Sequence, residues 1–373
     1  MKAFLNTNKI NYVLYHLAIG IDLESLHTDN KIRFLKTGEQ EGKDPSIYFH
    51  LSDNDLEPEL IKRIDDIPIL FPLSDRTEKY YFNNGSLHFS DDLLKSAFYL
   101  LSSYQEYKSA SKDKLGRYPF SDSIQKQLGI THKAVVNYYF EWITEGIEKF
   151  CEMHSLSFKI HSPFSPFGFF LTHDIDRIKF YKLNNLLMRI KDIAGLTENR
   201  QSKIASFKQL IKILLQLINP FNSSDPWWNF NYLTNLENSL GIKSTFFFLH
   251  KDQKDKDSFY KFSDPKIKDL IQELTKDGFE CGVHGTISSA RYYKNMEWQK
   301  KELENILGNK VDGIRQHNLV FKNPITPNIH DLAGFKYDST LGFAEHEGFR
   351  NSYCWPFKLY NFKEDKAFDC WEI

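Results

Sequence analysis

The sequence predicts an α/β protein: a distorted (β/α) barrel over residues 161–373, preceded by a smaller α/β domain over residues 1–160. Three observations point there. Beyond Phe167, short β-rich runs alternate with helical or loop segments, the pattern that parallel β/α units require. The segment HSPFSPFGFF, from His161 to Phe170, sets two prolines and a glycine at the point where the pattern changes. Finally, the carboxylate and imidazole clusters fall at the ends of the β-rich runs, where a (β/α) barrel carries its chemistry.

Composition bounds the answer further. A chain of 373 residues exceeds the usual compact domain. Apolar residues make up 41% and aromatic residues 15%, enough to build a packed core. Lys and Arg number 48 against 49 Asp and Glu, and no long basic block is present, which argues against nucleic acid as a partner. The N-terminus, MKAFLNTNKINYVLYHLAIGIDL, is interrupted by Asn, Lys and His, so it reads neither as a secretory signal nor as a transmembrane span. A cytoplasmic location is expected. Cys151, Cys281, Cys354 and Cys370 form no CxxC pair, which excludes a zinc knuckle or disulfide framework and predicts buried thiols.

In chain order, DDIPILFP (Asp65 to Pro72) and NNGSLHF (from Asn83) suggest short strands, the second opening on an Asn-Gly hairpin turn. Apolar positions at three- and four-residue intervals predict helices over Asp92–Tyr107 and Ala134–Met153, separated by the loop DKLGRYPF. Residues 184–225 read as a helical insertion rich in Lys, Asn and Leu. Its most apolar stretch, Leu210 to Ile218, is too short to span a bilayer, and Lys212 and Gln216 share a polar face, so a packed amphipathic helix is expected. A plain crossover helix pair is the expected role of this insertion, with a lid, or a weak membrane or glycan-assembly contact, as the alternatives.

The runs that follow carry the polar constellations. In THDID, Asp174 and Asp176 are two residues apart, so an extended backbone directs both carboxylates to one face, a pair tolerated when a cation or shared proton lies between them. A helix N-cap is the bland alternative. In ECGVHGTISS, His284 ends an apolar run, and a helical turn there would bring Ser288 onto its face. GIRQHN places Arg315 and His317 on one face of a strand, an arginine able to hold a carboxylate and an imidazole able to ligate metal or move a proton. Asp338 in YDST reads as a turn cap, and Glu345-His346-Glu347 as solvated charge. Trp227, Trp228 and Trp298 read as core packing or as platforms for sugar rings.

Taken together, THDID, STFFF, GFECGVHG, RQH and YDST, over about Phe167 to Ile373, resemble the NodB-like polysaccharide deacetylases, carbohydrate esterase family 4. With SAFYLLSSYQEY and GRY upstream, the sequence is similar to a divergent bacterial branch associated with surface-glycan synthesis. The resemblance implies a metal-dependent hydrolase acting on an N- or O-acetylated carbohydrate. Residue by residue, it implies Asp174 as general base, Asp176 and His284 as ligands of a divalent metal, zinc by the family's habit, and Arg315 as the group orienting the base. Ser288 stands where the family has a second metal histidine. His317 or His173 would then supply a third ligand, or Ser288 would hold a water beside the metal. His317 would also replace the family's late histidine as general acid, because that motif is missing and the chain ends at CWEI, as an incomplete barrel or a fragment would. These departures motivate an alternative: a catalytically degenerate barrel that binds a glycan or serves as a scaffold.

Overall fold

The computed structural model describes residues 6–36, 38–181, 183–196, 202–218, 225–251 and 258–373. The first five residues, and residues 197–201 and 219–224 of the expected insertion, lie outside them. The chain divides into two compact units: the first comprises the segment up to Phe169 with Ile287–Lys300 and Val311–Ile373, the second Phe170–Thr286 with Lys301–Lys310. This division differs from the expected 1–160 and 161–373, although the break at Phe169 falls inside HSPFSPFGFF. The reason lies in the core of the first unit, where buried residues from Ile10 to Cys151 pack in one cluster with Phe321, Tyr353, Phe357, Leu359, Tyr360 and Phe368.

The first unit opens with helix Thr7–Leu17, capped by the Asn6 side chain, which accepts from Lys9 N at 3.0 Å. The strands β1 (Ile32–Lys36), β2 (Ile47–Leu51), β3 (Lys62–Ile64), β4 (Ile67–Ile69), β5 (Tyr81–Asn83) and β6 (Ser86–Phe89) follow. Four of them make a sheet in the order β1-β2-β6-β5, with β1, β2 and β6 parallel, while β3 and β4 form a separate antiparallel pair. The Asn-Gly hairpin is present: Asn83 pairs with Ser86 across Asn84 (φ 48°) and Gly85 (φ 79°), the two left-handed positions that a type I′ turn demands.

The helix expected over Asp92–Tyr107 is broken into Leu93–Leu101 and Tyr104–Lys108, with Ser103 left-handed at φ 54°. The Asn351 amide donates to Leu100 O, Leu101 O and Ser103 Oγ at 2.8–3.1 Å, so these helix-end carbonyls find a distant partner. Helix Val135–Met153 matches its expectation. Nearby, Arg350 makes a buried two-pronged ion pair with Glu106 at 2.6 and 2.7 Å. Cys151, Cys281 and Cys370 are buried as expected, but Cys354 is exposed, its backbone N held by Asn137 Oδ1 in the loop before Trp355.

The second unit contains β7 (Thr172–Ile175), β8 (Thr245–Phe248) and β9 (Glu280–Gly285), neighbours in that order and all parallel. Helix Phe230–Ser239 lies between the first two in sequence and Pro265–Lys276 between the last two, giving the expected β/α alternation. Phe246, Phe247 and Phe248 are wholly buried, as a parallel strand covered on both faces requires. The insertion forms helices Leu183–Ile193 and Lys203–Ile218.

Back in the first unit, β10 (Gly313–Gln316), β11 (Tyr337–Asp338), β12 (Phe357–Asn361) and β13 (Lys366–Glu372) run in the order β12-β13-β11-β10. β10, β11 and β13 are parallel and β12 is antiparallel to β13. Gly313 pairs with Tyr337, and a Cβ at that position would lie 2.3 Å from the tyrosine ring, so only glycine permits this approach. The fold is mixed α/β. Among the described residues the strands of each unit form open runs, not a closed ring, and no helix is long and apolar enough to cross a membrane.

Candidate functional site

In the second unit the register of three strands builds the site. His173, Asp174 and Ile175 lie beside Phe246, Phe247 and Phe248, which lie beside Cys281, Gly282 and Val283. The next residues along β7 and β9 are Asp176 and His284, so parallel pairing delivers them to the same C-terminal edge. His284 is 2% exposed, and its Nε2 lies 3.2 Å from Asp176 Oδ1 and 4.0 Å from Asp174 Oδ2. The two carboxylates are about 40% exposed, so a buried imidazole lies against two partly solvent-exposed carboxylates. The period-two expectation for Asp174 and Asp176 is met, although β7 itself ends at Ile175.

That same alternation turns His173 to the other face. Its Nε2 meets Glu237 Oε1 at 2.6 Å, and its ring packs on Phe246. The idea of His173 as a third metal ligand is therefore corrected, because its imidazole is committed to a buried carboxylate on helix Phe230–Ser239.

Tyr260 supports the site and carries no recognisable motif. Its hydroxyl donates to Ile175 O at 2.5 Å and accepts from Leu249 N at 2.8 Å, tying the end of β7 to the end of β8. Burial, with the Asp176 charge adding to it, holds the Tyr260 hydroxyl well above its usual range, so it remains protonated and able to donate. The segment after β7 is pinned by Asp225, whose carboxylate accepts from the backbone N of Phe180, Tyr181 and Trp227 at 2.8–3.1 Å. Arg177 lies over Phe259 at 4.4 Å and over half-buried Trp227 at 5.9 Å, making a cation-aromatic ledge one residue beyond Asp176.

The remaining expected residues lie in the first unit. Ser288 sits in a turn and not in the helix that would align it with His284; its Oγ accepts from Asn295 Nδ2 at 2.8 Å. Arg315 is on β10, its Nε donating to Ser339 O and Ser339 Oγ at 3.2 and 3.1 Å. His317 has left the strand and opens a short turn, His317–Leu319, in which Asn318 (φ 56°) and Leu319 (φ 51°) are both left-handed. A leucine at positive φ is an outlier of the kind that clusters at functional loops. Arg117, from the GRY segment, donates Nη1 to Asn318 O at 2.7 Å while its Nε holds Asp113 Oδ2 at 2.7 Å, so it clamps this turn.

Beneath β10 and β11 lies a buried polar set. His330 Nδ1 is 3.0 Å from Asp338 Oδ2, and its Nε2 is 2.8 Å from the Gln316 amide. Asp338 caps Thr340 N at 2.8 Å, so the turn-cap expectation is met, with a buried histidine partner added. His346 and Glu347, expected as solvated charge, gather with His132 so that one ligand atom from each lies within 4.8 Å of the others.

Comparison with known proteins places little of this. The profile of a family of unknown function (DUF7033) matches residues 3–152, and no curated protein matches the chain. Among solved structures, one from Mycobacterium smegmatis, described as a polysaccharide deacetylase, is 16% identical at a TM-score of 0.31, covering 54% of this chain and 56% of that one. The Xyl-CE4 domain of a multidomain xylanase from the hindgut metagenome of Trinervitermes trinervoides is 17% identical at 0.21, covering 26% and 46%. IcaB from Ammonifex degensii is 11% identical at 0.26, covering 46% and 83%. The matches thus span about half the length of the first two proteins.

Proposed function

We propose that this chain catalyses metal-dependent deacetylation of an N- or O-acetylated carbohydrate, in the synthesis or modification of a surface polysaccharide. The observation that carries the reading is the convergence of Asp174 and Asp176 on the buried His284 at the C-terminal edge of three parallel strands. The donor chemistry fits a zinc-like ion: ligand atoms bound at about 2.1 Å in a tetrahedral shell stand roughly 3.4 Å apart. Asp176 Oδ1 and His284 Nε2 are separated by 3.2 Å.

Asp176 and His284 would hold the metal, and His317, just past the end of β10, is assigned one of two exclusive roles, third donor or general acid. When bound, the ion would supply Lewis acidity to a water and to the acyl carbonyl. Asp174 acts as general base, taking the proton of the water whose oxygen attacks the acyl carbon. Arg315 keeps that carboxylate ionised and aimed. As the C–N or C–O bond breaks, the departing amine or alkoxide must receive a proton, a role assigned to His317. If His317 is a metal ligand instead, the proton returns from Asp174. Ser288 is assigned to hold a water at the site. The ledge of Arg177, Phe259 and Trp227 supplies flat surface on which a sugar ring can stack.

The test is acetate release by the full-length protein from acetylated chito-oligosaccharides and acetylated xylan, with and without added zinc. Release dependent on metal and lost in Asp174→Asn upholds the reading. No release from any acetylated glycan, with metal supplied, defeats it. One observation favours the second reading, a glycan-binding module without turnover: Ser288 replaces an imidazole, and its hydroxyl takes a hydrogen bond from Asn295. Glycan affinity that persists without metal, and without acetate release, would select that reading.

A further inference from the structure

The helical insertion is built inside out. On helix Lys203–Ile218, the residues Ile204, Phe207, Ile211, Leu214, Leu215 and Ile218 are all exposed, Ile204 and Ile218 by 71% and 80%. Their spacing of three and four residues puts them on one stripe of the helix. On the opposite side Ser206 and Ile213 are wholly buried. The partner helix Leu183–Ile193 repeats the arrangement: Leu183, Leu187 and Ile190 make an exposed stripe, while polar groups turn inward. Asn185 is buried and donates to Phe180 O at 2.6 Å. Arg189 pairs with Asp192 at 3.3 Å, with side chains only 12% and 4% exposed, and reaches Gln209 Oε1 at 3.0 Å. The expectation of an amphipathic helix packed through its apolar face is thus reversed.

A water-facing stripe of this kind costs free energy unless an apolar medium covers it. Charge decides which medium. Between residues 183 and 218 there are six basic and two acidic residues, in a chain whose net charge is -1. Lys203, Lys208 and Lys212 are exposed and flank the apolar stripe on both sides. An apolar face bordered by lysines is the signature of a helix lying in the headgroup region of an anionic bilayer, where apolar side chains enter the acyl boundary and ammonium groups meet phosphates. Sixteen residues make a helix about 24 Å long, short of the ~30 Å hydrocarbon core, which fits lying in the interface and not crossing it.

We infer that the helices Leu183–Ile193 and Lys203–Ile218 form an interfacial membrane-binding element that docks this protein on an anionic lipid surface. Sedimentation of the full-length protein with phosphatidylcholine vesicles, with and without phosphatidylglycerol, tests this. The protein is expected to co-sediment with the anionic vesicles about tenfold more strongly than with the neutral ones, and to lose that excess in high salt. Ile211→Glu/Leu215→Glu is expected to abolish binding to both vesicles. Lys208→Glu/Lys212→Glu is expected to remove only the anionic preference. All four positions are exposed or lie on the outer stripe, so circular dichroism should match wild type. The inference is overturned if wild type binds neither vesicle. It is equally overturned if the protein forms a concentration-dependent oligomer, dissolved by Ile211→Glu/Leu215→Glu, that leaves no free stripe for lipid, because a second copy is then the occupant.

Discussion

His284 and Asp176 meet at 3.2 Å because β7 and β9 run parallel on either side of β8, each contributing the residue one step beyond the row Ile175, Phe248 and Val283. The imidazole is buried on its strand, and the two carboxylates are partly exposed to solvent. Asp174, two residues earlier, shares the face without being closest to the imidazole, which suits a base more than a ligand.

If Asp174 is that base, Asp174→Asn should lower the rate of acetate release by about 100- to 10,000-fold while leaving bound metal unchanged. Steady-state kinetics beside elemental analysis of the same preparation checks this. Equal loss of metal and rate would instead make Asp174 a ligand.

Tyr260 should prove to be structural support. Tyr260→Phe leaves Ile175 O and Leu249 N without their buried partner, at a cost of about 1–3 kcal/mol in urea unfolding. An unchanged urea midpoint would show that the hydroxyl does not brace the ends of β7 and β8.

Arg117 should act through His317. Arg117→Ala frees Asn318 O and is expected to reduce acetate release on the order of tenfold to a hundredfold, with partial recovery in Arg117→Lys. A change in the pH profile of kcat, with little change in thermal midpoint, distinguishes positioning from mere loss of stability.

The first unit should be sensitive to acid at His16. His16 is buried, donates Nδ1–H to Tyr12 O at 2.7 Å and accepts from Lys358 N at 3.0 Å, an arrangement that requires the neutral ring. Burial pushes its pKa down to about 4. The unfolded chain binds this proton near pH 6.5, so its contribution is complete above that pH and is lost as pH falls toward 4, by about 3 kcal/mol. Urea midpoints measured from pH 7 to pH 4 should show this slope in wild type and a flatter one in His16→Gln.

Much of the site was legible because strand periodicity is local. Two carboxylates two residues apart in THDID, and a histidine ending an apolar run, need only an extended backbone to be read correctly, and Asn84-Gly85 likewise states its own turn. What escaped depends on distant partners. The helix after Asp92 ends at Leu101 because Asn351, some 250 residues away, takes its carbonyls. Arg117 lies in a loop by sequence, and only its carbonyl partner at Asn318 marks it as a clamp. The amphipathic pattern of Leu210 to Ile218 is visible in the sequence, but periodicity cannot say which face meets solvent. His173 was readable as a ligand until the strand's alternation sent it to Glu237.

The most direct test of the central claim is the metal content of the full-length protein after dialysis against zinc, compared with His284→Ala and, as a control for the separate His132, His346 and Glu347 cluster, His346→Ala. Wild type should bind zinc tightly, with one equivalent lost in His284→Ala and retained at the Asp176 site in His346→Ala. Zinc content unaffected by His284→Ala, or no bound zinc in wild type, would contradict it.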